Sequence, residues 1–133
     1  MKRLIILFCV TLICVKTFAP AEREIVIPKV EGINPYERLW TAICKVESGN
    51  NPLAYNIKEG AIGVAQVRQC RVDHYNYLTG KNYALNQMYD TLKAKEVFMY
   101  FCQGRDFETI AKSWNGSGKK TIEYWNKVKS KLN

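Results

Sequence analysis

The stretch Asn34-Pro35-Tyr36-Glu37-Arg38-Leu39-Trp40-Thr41-Ala42-Ile43-Cys44-Lys45-Val46-Glu47-Ser48-Gly49 carries the punctuation of one amphipathic helix. Asn34 suits a cap, Pro35 the first helical turn, and Glu37 stands three residues past the cap, the arrangement that satisfies free N–H groups at a helix start. Trp40, Ile43, Cys44 and Glu47 then fall at i, i+3, i+4 and i+7, so they share one face. That face is apolar except for a single carboxylate. Ser48-Gly49-Asn50-Asn51-Pro52 stops the helix, which leaves Glu47 in its last turn beside a loop.

Downstream the same periodicity recurs. Beyond a Gly-containing stretch, Gly60 to Gln66, a short helix is expected from Arg71 to Leu78, ended by Gly80. Asp90 caps a helix with Ala94, Val97, Phe98 and Phe101 on its stripe, running to Gly104. Asp106 caps another, with Phe107, Ile110, Ala111 and Trp114 on one face and Gly116 at its end. A last helix is expected from about Thr121 to Leu132, burying Ile122, Trp125, Val128 and Leu132. Only Ile25 to Ile27 and Ile62 to Val67 suggest strand, and no repeat is present. The expected fold class is therefore mainly α.

Upstream, Lys2 and Arg3 precede a twelve-residue run from Leu4 to Val15, followed by Ala19-Pro20-Ala21. The run is shorter than the roughly 20 apolar residues that span a bilayer, and its basic front and small-residue end fit a secretory signal. The expected organisation is a signal peptide at 1–21, an extended linker at 22–34 and one domain at 35–133, periplasmic or secreted, with no stable membrane insertion after cleavage. At 133 residues a two-domain enzyme is excluded, and 47% hydrophobic residues are too many for a disordered chain. The net charge of +8 favours an anionic partner. Cleavage after Ala21 removes Lys2, Arg3 and Lys16 but no acid, so 17 basic groups face 12 acidic ones and +5 remains. Export makes nucleic acid a poor candidate partner.

Cys44, Cys70 and Cys102 follow the signal. Three alternative pairings with one thiol over, or three unpaired thiols, fit equally. No pair has metal-ligand spacing and His74 is the sole histidine, so no metal or other cofactor is expected.

Glu47 is the chemical candidate. An apolar neighbourhood penalises its ionised form, and the negative end of a neighbouring helix dipole would add to this, both raising its pKa toward that of a general acid. Spacing alone equally allows an ordinary solvated glutamate. Glu47-Ser48-Gly49-Asn50-Asn51-Pro52, Gly60-Ala61-Ile62-Gly63-Val64-Ala65-Gln66 and Ser113-Trp114-Asn115-Gly116-Ser117-Gly118 resemble, in order, three motifs of the soluble lytic transglycosylase domains, relatives of goose-type lysozyme. The resemblance covers about Tyr36 to Leu132. It implies a small lysozyme-like helical domain with a substrate groove, acting on peptidoglycan glycan strands at the β-1,4 bond between N-acetylmuramic acid and N-acetylglucosamine. Wall turnover, assembly of a cell-envelope-spanning secretion apparatus and a phage life cycle all use such domains.

By that resemblance Glu47 is the catalytic acid, Ser48 the small polar residue that orients it, and Gln66 and Asn115 bind substrate. Trp114 stands where the family usually has tyrosine, losing a hydroxyl but keeping a ring able to stack on a sugar. Tyr124 resembles the later tyrosine that hydrogen-bonds the catalytic carboxylate. Val64-Ala65 replaces a bulkier pair, which implies altered groove packing. One carboxylate serves both proton transfers in such a lyase, whereas hydrolysis requires a second carboxylate. Glu59 is the nearest further acid, although Lys58-Glu59-Gly60 also reads as a solvated turn. Gly60 and Gly63 fit either close approach to a glycan or turn geometry. Trp40 and Trp125 read as core. Lys119, Lys120, Lys127, Lys129 and Lys131 form either a solvated helix face or an attraction for peptide carboxylates. A hydrolytic muramidase on the same fold and a non-catalytic glycan-binding module are the rival readings.

Overall fold

In the computed structural model, residue 32 and residues 34–132 are described; the expected signal peptide and the linker's Ile25 to Ile27 run lie outside them. The chain is mainly helical. The first helix, α1, spans Glu37–Ser48. It starts later than the cap pattern implies because Asn34 makes a turn of its own: its Oδ1 accepts from the Tyr36 N–H at 3.0 Å and its carbonyl from the Glu37 N–H at 3.0 Å. Glu37 instead pairs with Lys95 of a later helix at 2.7 Å. At the other end Gly49 takes φ 64°, and the Asn50 N–H returns to the Cys44 carbonyl at 3.2 Å, a left-handed closure that needs no side-chain cap.

The next segment is a small antiparallel hairpin, β1 Tyr55–Asn56 with β2 Ala61–Ile62, in the register Tyr55 opposite Ile62 and Asn56 opposite Ala61. Strand over the whole of Ile62 to Val67 does not form. Ile62 and Val67 instead exchange both backbone hydrogen bonds across a tight turn at residues 63–66. Gly63 explains the turn: its φ is 76°, and a Cβ there would lie 2.2 Å from the Met88 carbonyl oxygen. Turn geometry and close approach to this chain's own backbone therefore account for that glycine.

Four helices follow: α2 Gln69–Thr79, α3 Thr91–Cys102, α4 Phe107–Asn115 and α5 Lys120–Lys129, with a 3₁₀ turn at Leu85–Tyr89 before α3. Asp90 and Asp106 cap α3 and α4 as expected, accepting from the Leu92 and Thr109 N–H groups at 2.9 Å each. Phe98 is fully buried at the centre, 5.2 Å from the Trp40 ring and 5.1 Å, edge-on, from Trp114. Between α2 and α3, Tyr75 and Tyr83 donate to the Glu96 carboxylate at 2.7 and 2.8 Å while Lys81 pairs with it. Helix α5 packs on α4 and α1. Its inner face is Thr121, Tyr124 and Val128, not the expected one: Ile122 is 54% exposed, Trp125 and Leu132 are only half-buried, and of the expected four Val128 alone is fully enclosed.

Candidate active site

Glu47 projects from the last turn of α1 into the side of α5. The Tyr124 hydroxyl, itself buried, donates to Glu47 Oε1 at 2.6 Å, joining residues 77 apart in sequence. Burial pushes the Glu47 carboxyl up to about 7, with a further rise from the Glu59 charge; the Tyr124 hydrogen bond and the positive charge of Arg68 pull the other way. Desolvation therefore wins. The Tyr124 hydroxyl is raised by burial and then by the negative charge of Glu47, so it stays protonated and acts as donor. One turn back, burial and then Glu47 push the Cys44 thiol up to about 12, which keeps it neutral.

The other expected site residues divide. Ser48 Oγ donates to the Val64 carbonyl at 2.7 Å and accepts from the Asn51 N–H at 3.0 Å. It ties the end of α1, the turn that carries Glu47, to the 63–66 turn. Gln66, in the left-handed region at φ 51°, donates its amide Nε2 to the Gly63 carbonyl at 2.9 Å, so its N–H₂ group serves the turn. Asn115 ends α4 and shares with Tyr124, Lys120, Glu123 and Lys127 the lining of a cleft of about 300 Å³.

Trp114 is placed differently from expectation. It is only 6% exposed, its ring lies edge-on to Phe98, and its Nε1 donates to the Ala65 carbonyl at 3.0 Å. A ring enclosed this way is core, with no open face on which a sugar could stack. Glu59 is exposed in the loop between β1 and β2, as a solvated turn requires, yet it bears on Glu47 through its charge.

Two arginines escaped the sequence reading. Arg68 Nη2 donates to the Trp114 and Asn115 carbonyls at 3.2 and 2.9 Å, and Arg71 Nη2 to the Ser113 carbonyl at 2.8 Å, with its guanidinium 4.8 Å from the Trp114 ring centre. The last carbonyls of α4 lack intrahelical partners and carry the negative end of its dipole, so two cations satisfy them. A faint signal was present: Arg68 and Arg71 open α2, which has no acid in its first turn, and positive charge is unfavourable there unless it serves something else.

Cys44 and Cys102 are buried and Cys70 exposed, all three as free thiols. Among the described residues no three His, Cys, Asp or Glu side chains gather to hold a metal ion, and no helix is long and apolar enough to cross a membrane. In comparisons with known proteins, no family model, no curated protein and no solved structure matches this chain.

Proposed function

We propose that residues 35–133 form an exported, lysozyme-like peptidoglycan lytic transglycosylase. The observation that carries this reading is the 2.6 Å hydrogen bond from Tyr124 to a carboxyl raised to about 7. Near neutral pH such a group holds its proton in about half of the molecules, whereas an ordinary glutamate holds it in well under one in a hundred. Tyr124 occupies Oε1 as a donor, so the mobile proton sits on Oε2. From there Glu47 protonates the glycosidic oxygen, the bond from C1 breaks, and positive charge develops at C1. The resulting carboxylate takes the proton of the muramoyl C6 hydroxyl, whose oxygen bonds to C1 and closes a 1,6-anhydro ring. Glu47 ends protonated, ready for another cycle, and no water is consumed.

Glu47→Gln tests the assignment. The amide is nearly isosteric and transfers no proton, so muropeptide release should fall by 10²–10⁴-fold or more. Mass spectra of wild-type products should show the anhydro form, about 18 Da lighter than a hydrolysed product because one water is not added. The influence of Glu59 on Glu47 favours one rival, a hydrolytic muramidase. That enzyme would release reducing-end products and be inactivated by Glu59→Gln. A non-catalytic glycan-binding module would bind sacculi without turnover in wild type.

A further inference from the structure

The cleft beside Tyr124 has a charge pattern that the proton transfers do not use. Lys120, Glu123 and Lys127 stand at i, i+3 and i+7 on α5, so they share one face, with the two ammonium groups' anchor points about 10 Å apart along the axis. All three side chains are exposed. Among the described residues the ion pairs are Lys81–Glu96, Lys95–Glu37 and Lys112–Glu108, so the charges of this cleft are not spent on one another. The volume, about 300 Å³, lies at the small end for ligand sites and suits one short branch rather than a run of sugars. Tyr124 belongs to both places: its hydroxyl reaches Glu47, and the residue also lines the cleft.

We infer that this cleft is a subsite for a carboxylate-bearing peptide branch of the glycan. Lys120 and Lys127 meet its carboxylates, Glu123 between them meets an amine, and the Asn115 amide meets a peptide group. The inference rests on the proposed peptidoglycan reading, which supplies a polymer whose acidic peptide branches leave the sugar next to the bond that is cut. Two lysines against one glutamate leave the cleft net positive, so a peptide richer in carboxylates than in amines is preferred. An exposed lysine–carboxylate contact changes an equilibrium about two- to fivefold. Two contacts together should give about tenfold.

The test measures KM and kcat of the purified protein on three substrates: strands with intact peptides, strands stripped of peptides by an amidase, and peptide-bearing strands whose carboxylates have been chemically amidated. The expected KM is about tenfold lower on the first than on the other two. The difference should shrink when salt rises from 0.05 to 0.5 M, since exposed charges are screened. In Lys120→Gln/Lys127→Gln the ratio between intact and stripped strands should collapse toward one, and in Lys120→Arg/Lys127→Arg it should survive. Equal KM on intact and stripped strands in wild type, or a ratio that persists in the double glutamine variant, overturns the subsite while stripped strands are still cleaved. Failure to cleave any of the three overturns the transglycosylase reading and the subsite with it.

Discussion

Replacing Glu47 by glutamine should make the folded domain more stable at neutral pH, whatever the protein acts on. The carboxyl titrates at about 7 in the fold against an ordinary 4.5, because burial disfavours its charge. The folded state therefore binds the proton more tightly than the unfolded chain. That contribution to stability is fully present below about pH 4.5, is lost as pH rises, and is gone above about 7. At about 1.4 kcal/mol per tenfold difference in proton affinity, the gap between 4.5 and 7 amounts to about 3 kcal/mol. Glutamine escapes the loss, and its carbonyl oxygen still accepts from Tyr124. Thermal melts of wild type and Glu47→Gln should coincide near pH 4 and separate through the window from 4.5 to 7. Above it the variant should melt roughly 12–24 °C higher, given about 4–8 °C per kcal/mol for a domain near this size. A separation independent of pH, or a variant less stable at pH 7, would refute the claim that desolvation dominates at Glu47.

Tyr124→Phe removes the hydrogen bond that favours the ionised carboxylate, so the Glu47 pKa should rise. A bond to a charged acceptor is worth about 1.5–3 kcal/mol, so the descending limb of kcat/KM should move from near pH 7 to higher pH by about one to two pH units; an unmoved or lowered limb contradicts the assignment. Gly63→Ala forces a side chain into φ 76° with its Cβ 2.2 Å from the Met88 carbonyl oxygen, and should destabilise by about 3 kcal/mol or more. Urea denaturation reads this, and a loss under about 0.5 kcal/mol would mean that the turn can shift freely.

What could be read in the sequence and what could not separate along physical lines. Helices α3 and α4 were legible because their signals are local: an aspartate whose own side chain accepts the first free N–H groups, and an apolar stripe along the helix that follows it. The inner face of α5 was not. Ile122 and Trp125 outrank Thr121 and Tyr124 in hydrophobicity, yet their face is rotated by about 100° from the one that points inward. The orientation follows a need that lies outside the helix, since a half-buried carboxyl on α1 requires a donor and Tyr124 supplies it. Arg68 and Arg71 were illegible for the same reason. Their partners are backbone carbonyls 42 to 47 residues away, and a carbonyl has no letter in a sequence. The hairpin strand at Tyr55–Asn56 is two residues long, too short for alternation to register.

The three short motifs turn out to be linked by one recurring device. Ser48 of the first donates to the Val64 carbonyl of the second, and the Trp114 indole of the third donates to the neighbouring Ala65 carbonyl. Arg68, two residues beyond the second motif, closes onto the carbonyls of Trp114 and Asn115. In each link a side chain of one segment grips the main chain of another. Such hooks fix segments distant in sequence against one another and constrain residue type, because a serine hydroxyl or an indole N–H at that reach is hard to replace, yet none of them touches the carboxyl. In the proposed reaction the proton transfers fall to Glu47, held by Tyr124, which lies outside all three motifs. It follows that loss of a hook and loss of the acid should differ in kind. Removing Ser48 or Arg68 leaves a buried carbonyl short of a donor, at a cost of about 1–3 kcal/mol in stability, and loosens the site. Removing the acid leaves the hooks intact, lifts the desolvation cost and abolishes the proton transfer, so stability and turnover should move together in the first class of variants and in opposite directions in the second.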